Sequence, residues 1–250
     1  MNTNQKIAML TDTSTTKITM SPLRKQSLLA GVLYLLTFVS IPTIALYSSV
    51  HVPNYITGPG PDTAVIIGGI LEIIVALSGI GTAVVLYPVL KKQNESAALG
   101  LVAARILESG TIFVGVAFLL SVVTLRQSGA GEDGLATSHA LVALYDRIFL
   151  LGQSFMPAIC DLLLGFMLYK SRLVPRALAM IGMLGALPLV AGYFAMLFGL
   201  IERNSPMAGL SAVLVALFEF SLGIWLIVKG FNSKTKTQNP RNEIIQFGRD

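Results

Sequence analysis

Six apolar runs, each long enough to cross a bilayer, constrain this chain more than any other feature. A helix needs about 20 apolar residues to cross roughly 30 Å of hydrocarbon. Segments 28–50, 64–87, 97–125, 148–169, 177–200 and 207–228 reach that length. The runs are continuous rather than alternating, so they read as helices and not as the strands of an outer-membrane barrel. The expected fold is all-α: a polytopic membrane protein with a bundle of six transmembrane helices. Composition agrees. Only 12% of the 250 residues are charged, against about 25% in soluble domains. That is too little polar surface to cover a globule of this size in water.

Three regions follow. Residues 1–27 are polar and rich in Thr and Ser, and read as a flexible cytoplasmic tail. Residues 28–230 form the transmembrane domain, and 231–250 form a second flexible cytoplasmic tail. The first run is too long for a signal-peptide core and no small-x-small cleavage site follows it, so it reads as retained. Orientation comes from the basic residues. Lys6, Lys17, Arg24 and Lys25 precede the first span, Lys91 and Lys92 follow the second, and Lys170, Arg172 and Arg176 follow the fourth. Lys229, Lys234, Lys236, Arg241 and Arg249 follow the sixth. The other side has Arg126 and Arg203, with Arg147 at a boundary. Both termini are therefore expected in the cytoplasm, and the net charge of +5 reads as a topology signal rather than a nucleic-acid face.

Other chemistry is sparse. The single Cys160 lies in an apolar run, so no internal disulfide forms. His51 and His139 fall in expected outer loops with no ligand-type neighbour at metal spacing, so neither a metal nor a cofactor is expected. The segment His51–Asp62 holds Pro53, Pro59 and Pro61 and reads as an ordered turn, whereas Gln127–Ser138 reads as the most mobile outer loop. Pro42, Pro157 and Pro188 are expected to kink their spans. Tyr47, Tyr87, Tyr169 and Trp225 sit towards span ends, where interfacial anchors belong. Gly68, Gly69, Gly79, Gly81, Gly110 and Gly115 suit close helix approach. No catalytic motif is present, and an enzyme is not expected.

The candidate site is a set of ionisable residues inside the runs: Glu72, Arg105, Glu108, Asp161 and Glu219. A charge at mid-bilayer costs about 2.5–3.5 kcal/mol on insertion scales, so such residues face the bundle interior and find partners. Counting inward from the span ends puts all five near the centre, at about 12–17 Å from an edge. Arg105 and Glu108 are three apart and share a helix face. One arginine does not neutralise four carboxylates, and a carboxyl taken out of water favours its neutral form. Two readings stay open: an interhelical clamp in a structural or accessory membrane protein, or a site for protons or cations in a small-solute carrier. The partners expected are the lipid bilayer and a proton or small solute, with no nucleic acid; the sequence does not fix an oligomeric state.

Four stretches carry a resemblance. They are Leu86–Glu95 (LYPVLKKQNE), Ala103–Glu108 (AARILE), Leu168–Arg176 (LYKSRLVPR) and Phe218–Phe231 (FEFSLGIWLIVKGF). Together, over roughly residues 24–232, the chain resembles the bacterial membrane family known as domain of unknown function 4386. The resemblance implies a six-span protein of the bacterial inner membrane with no established activity. It also implies that Arg105, Glu108 and Glu219 belong to the recurring pattern. An Asn-like residue is usual near Asp161, so the chain departs from the family there.

Overall fold

In a computed structural model, residues 20–232 are described. Among them helix is the dominant regular element and no strand occurs. The helices are α1 (Pro22–Leu36), a short α2 (Thr43–Leu46), α3 (Asp62–Leu90), α4 (Glu95–Gln127), α5 (Leu135–Phe149), α6 (Met156–Ser171), α7 (Arg176–Leu197) and α8 (Pro206–Val228). Six stretches are long and apolar enough to cross a membrane. The expected tails lie almost wholly outside the described residues, but α1 begins at Pro22, inside the segment read as the first tail. Ser21 fixes that start, since its side chain accepts from the Arg24 amide at 3.3 Å and Pro22 supplies the first helical residue. Asn94 and Ser205 cap α4 and α8 in the same way.

The helices form a ring. Each long helix packs on the next in sequence, and α8 closes the circle against α1. Arg24 and Ser27 near the start of α1 bond the last carbonyls of α8. Arg24 Nη1 donates to the Leu226 oxygen at 2.9 Å, Arg24 Nη2 to that of Ile227, and Ser27 Oγ to that of Leu226 at 2.6 Å. Those carbonyls have no partner within their own helix, so the first span satisfies the last. The turn after α6 joins the same face, where the Asn232 amide donates to the Leu173 oxygen at 2.9 Å. We call this the terminal face.

Side-chain placement is that of a bundle in lipid. Ile70, Leu77, Leu187, Leu210 and Phe220 point outward and are exposed, while Tyr34, Leu86, Leu101, Leu164 and Phe218 are buried. Lipid offers little hydrophobic reward for helix contact, so small residues decide how closely helices approach. A Cβ added to Gly31 of α1 would lie 2.7 Å from the Gly223 carbonyl oxygen of α8, which leaves room only for glycine. Gly165 makes an equally close approach to α7, where a Cβ would meet the Ala179 carbonyl oxygen at 2.9 Å. Of the glycines singled out above, Gly69, Gly81 and Gly115 face neighbouring side chains and Gly68 faces the Tyr47 ring, whereas Gly110 faces open space.

Three expectations are corrected. The first span is not one kinked helix: α1 ends at Leu36, a 3-10 turn follows over Thr37–Ser40, and the chain turns at Ile41–Pro42. Gln127–Ser138 is not a long loop. A 3-10 turn over Gly131–Gly134 leads straight into α5, so His139 is helical and accepts no loop role. The fourth span thereby extends to Gly131–Ser171, 41 residues. Its polar residues hide it in an apolar-run count, because α5 is amphipathic and buries only Ser138 and Tyr145. Within this stretch Leu150–Phe155 form a π turn just before Pro157. Finally, Tyr47 is not an interfacial anchor but is buried, edge-on to Tyr145 with ring centroids 5.6 Å apart.

Candidate functional site

Arg105 is the centre of the buried charge. Its side chain leaves α4 on the same face as Glu108, and Nη1 donates to both carboxylate oxygens of Glu108 at 3.2 and 3.1 Å. Nη2 donates to Glu219 Oε1 of α8 and faces Asp161 Oδ1 of α6 at 3.9 Å. The planar guanidinium suits this role because its donors point to two sides at once. The Tyr34 ring of α1 lies 5.8 Å from the guanidinium carbon, and the Cys160 thiol donates to Glu108 Oε2 at 3.5 Å. Four spans therefore meet at one arginine.

The carboxyls are not equally served. Asp161 is 0% exposed, and neither of its oxygens has a hydrogen-bond partner. The Nε of Arg105 is likewise unbonded. Three acids around one guanidinium carry two negative charges in excess when all are ionised. Such an excess away from water calls for protons or a bound cation.

Glu72 does not join them. It lies ten residues from the start of α3 and 18 from its end at Leu90, which puts it about 27 Å from the terminal face. Asp161 lies ten residues before Ser171 and Glu219 nine before Val228, or about 14–15 Å from that face. Counting from the nearest edge makes these depths look alike; counting from one face separates them. Glu72 instead sits under Tyr145 and Gln153. Tyr145 Oη donates to Glu72 Oε1 at 3.2 Å and Gln153 Nε2 to the same oxygen at 3.3 Å. Glu72 Oε2 is buried without a partner, and the Tyr47 hydroxyl faces this carboxylate.

Two cavities flank these acids. One, of about 190 Å³, is lined by Thr37, Ser40, Gln153, Arg105, Glu108 and Glu219, together with apolar residues of α3, α4, α7 and α8. Residues of the 3-10 turn after α1 line it opposite Ala212, Ala216 and Glu219 of α8. The other, of about 290 Å³, lies at the face away from the termini and is lined by Tyr47, His51, Tyr145, Phe149 and Arg203 among others. There Asp146 Oδ1 accepts from Arg203 Nη1 at 2.6 Å and meets His51 Nε2 at 3.1 Å. Arg203 also covers the rings of Phe149 and Tyr145, at 4.6 and 5.3 Å. Asp146 is thus paired, while Arg147 is exposed.

His51 titrates above its ordinary range, chiefly because of its bond to Asp146, although burial pulls the other way. A raised value means that the charged contact contributes fully below the ordinary imidazole pKa and fades as pH rises through the raised one. Asp146 is 40% exposed, so the contribution is small. Across the same face Arg126 donates to Asp62 Oδ2 at 2.7 Å and to the Gly58 oxygen at 2.9 and 3.1 Å, which pins the proline-rich turn as expected.

Sequence reasoning missed Tyr34, Tyr145 and Gln153 as members of these clusters. Tyr145 carried one available signal, its place beside Asp146–Arg147 in an otherwise apolar stretch. Gln153 lies within the expected fourth span and has no distinguishing neighbour.

A ring of six membrane-length helices around an arginine–carboxyl cluster defines a multi-pass membrane protein with a polar core. The chain belongs to the family described as domain of unknown function (DUF4386), whose model matches residues 29–230. No curated protein and no solved structure matches it.

Proposed function

We propose that this protein is a proton- or cation-coupled carrier of a small solute, and that Arg105, Glu108, Glu219 and Asp161 are its exchange site. The observation that carries this reading is the cavity of about 190 Å³ that reaches Arg105, Glu108 and Glu219. A structural clamp has no need of space at its charges. A liquid-water molecule takes about 30 Å³, so the cavity has room for several, or for a small polar solute. The two excess negative charges give it a preference for protons or cations. No catalytic chemistry is part of the proposal.

The test uses the purified full chain in liposomes that enclose a pH dye, with an imposed sodium or potassium gradient. Wild-type vesicles are expected to take up protons faster than protein-free vesicles. The double variant Glu108→Gln, Glu219→Gln is expected to reduce that rate about tenfold or more. Wild-type vesicles that match empty ones under both gradients would overturn the reading.

A clamp is the second reading, and one observation favours it: Arg105 ties α4 to α8 and faces α6. Buried polar contacts between membrane helices are worth about 0.6–2 kcal/mol each. On this reading the double variant loses stability and the parent shows no flux.

We also propose that the terminal face is cytoplasmic and that the membrane is the inner membrane of a bacterial cell. Lys25, Lys91, Lys92, Lys170 and Arg176 flank the spans on that face, as the positive-inside rule requires. A phosphatase fused after Asp250, active only outside the cytoplasm, is expected to stay silent; activity there would reverse the orientation.

A further inference from the structure

Glu72 has an environment that a structural acid does not need. It is 2% exposed, and one oxygen takes both of its donors while the other takes none. The two donors belong to different cavities. Tyr145 lines the one of about 290 Å³ at the face away from the termini, and Gln153 lines the one of about 190 Å³ that meets Arg105. Glu72 therefore stands between the two spaces, one hydrogen bond from the wall of each.

The local backbone makes this possible. Tyr145 and Gln153 are eight residues apart, and on an ordinary helix that spacing turns their side chains roughly 80° away from each other. The π turn over Leu150–Phe155 lies between them and turns less per residue. It brings Gln153 back towards the face of Tyr145, so that both reach one oxygen. π turns inside helices are frequent at functional sites.

We propose that Glu72 is a proton relay between the two cavities, and that the cavity beside His51 and Arg203 is the proton entrance to the Arg105 cluster. The proposal rests on the proton-coupled reading of that cluster. A hydronium ion in the entrance cavity gives a proton to the Tyr145 oxygen while the Tyr145 hydroxyl passes its own proton to Glu72 Oε1; the phenol is restored, a new O–H bond forms on Glu72 and a water molecule is left behind. The neutral carboxyl then passes the proton to a water in the inner cavity, its O–H bond breaks, and the carboxylate returns. That water hands the proton to Glu108 or Glu219. The titratable and charged groups that face Glu72 are Tyr47 before the proline-rich turn, Tyr145 of α5 and, at longer range, Arg203. The phenols remain neutral near pH 7 and serve as donors, so the proton has Glu72 as its acceptor along this path.

Infrared difference spectra of the full-length protein in lipid vesicles, in H2O and D2O, test the relay without a transport assay. The expected result is a carboxyl band that responds to pH, moves on deuteration, and is lost in Glu72→Gln. A band that ignores pH and deuterium, or one that persists in Glu72→Gln, sinks the relay. In the dye-loaded vesicles Glu72→Gln and Gln153→Leu are each expected to slow proton entry about tenfold, with the unfolding midpoint checked against the parent. Parent-like flux in a folded Glu72→Gln overturns the relay and leaves the carrier reading standing. Absence of flux in the parent overturns the carrier reading, and the infrared result then decides the relay alone.

Discussion

Replacing Arg105 by leucine is expected to destabilise the bundle by about 3–5 kcal/mol, because breaking a buried ion pair strands the remaining charge. Here three carboxyls would be stranded at once: Glu108, Glu219 and Asp161. The loss follows from uncompensated charge rather than from packing, so it should be reversible in a specific way. Adding Glu108→Gln and Glu219→Gln to Arg105→Leu is expected to restore most of the stability. The protein carries its own reporter for this experiment. Cys160 is the single cysteine and is 0% exposed, so a thiol-reactive dye labels it only as the bundle opens. The midpoint of labelling on heating should fall by roughly 10 °C in Arg105→Leu. It should recover in the triple variant. An unchanged midpoint in the single variant would mean that Arg105 does not neutralise the cluster.

The opposite sign is expected at Asp161. This carboxyl is fully buried, accepts no hydrogen bond and lies 3.9 Å from a guanidinium already engaged by two other acids. Removing one partner of a satisfied pair is costly, whereas removing a surplus buried charge is not. Asp161→Asn is therefore expected to stabilise the protein by about 2 kcal/mol. The gap should widen as the pH is raised, because only the parent must then carry the third negative charge. Thermal unfolding of both proteins at about pH 6 and pH 9 measures it. A lower midpoint for Asp161→Asn at both pH values would show that Asp161 is a needed ion-pair partner. With the expected result, Asp161 is an ionisable group at the core beyond what the arginine there engages.

The sequence exposes the parts of the molecule that repeat along the chain. Six spans are visible because apolar runs are long and unbroken, and Arg105 with Glu108 is visible because helical spacing puts them on one face. Glu219 joins them as expected. Glu72 stands apart from them, since depth from the nearest edge of a span does not fix depth from one face, and antiparallel neighbours begin at opposite faces. Asp161 also joins them, facing Arg105 from α6. The break after Leu36 and the π turn at Leu150–Phe155 change the hydrogen-bonding period within otherwise apolar runs, which a hydropathy count does not register. Those two irregularities border the cavities: one lines the space beside α8, and the other presents Gln153 to Glu72. The chemistry thus depended on backbone features that composition does not record.

Contact between α1 and α8 sets the order in which the molecule can be completed. A chain made from its N-terminus inserts α1 first and α8 last. Until α8 arrives, the carbonyls that Arg24 and Ser27 will bond do not exist, the Gly31 seat has no occupant, and Arg105 lacks Glu219. Biogenesis therefore ends with a single closing event that completes the helix ring and the charge cluster together. A ribosome stalled before the sixth span leaves an open bundle with an exposed seam, in which Arg105 has Glu108 and Asp161 beside it but no tie to α8.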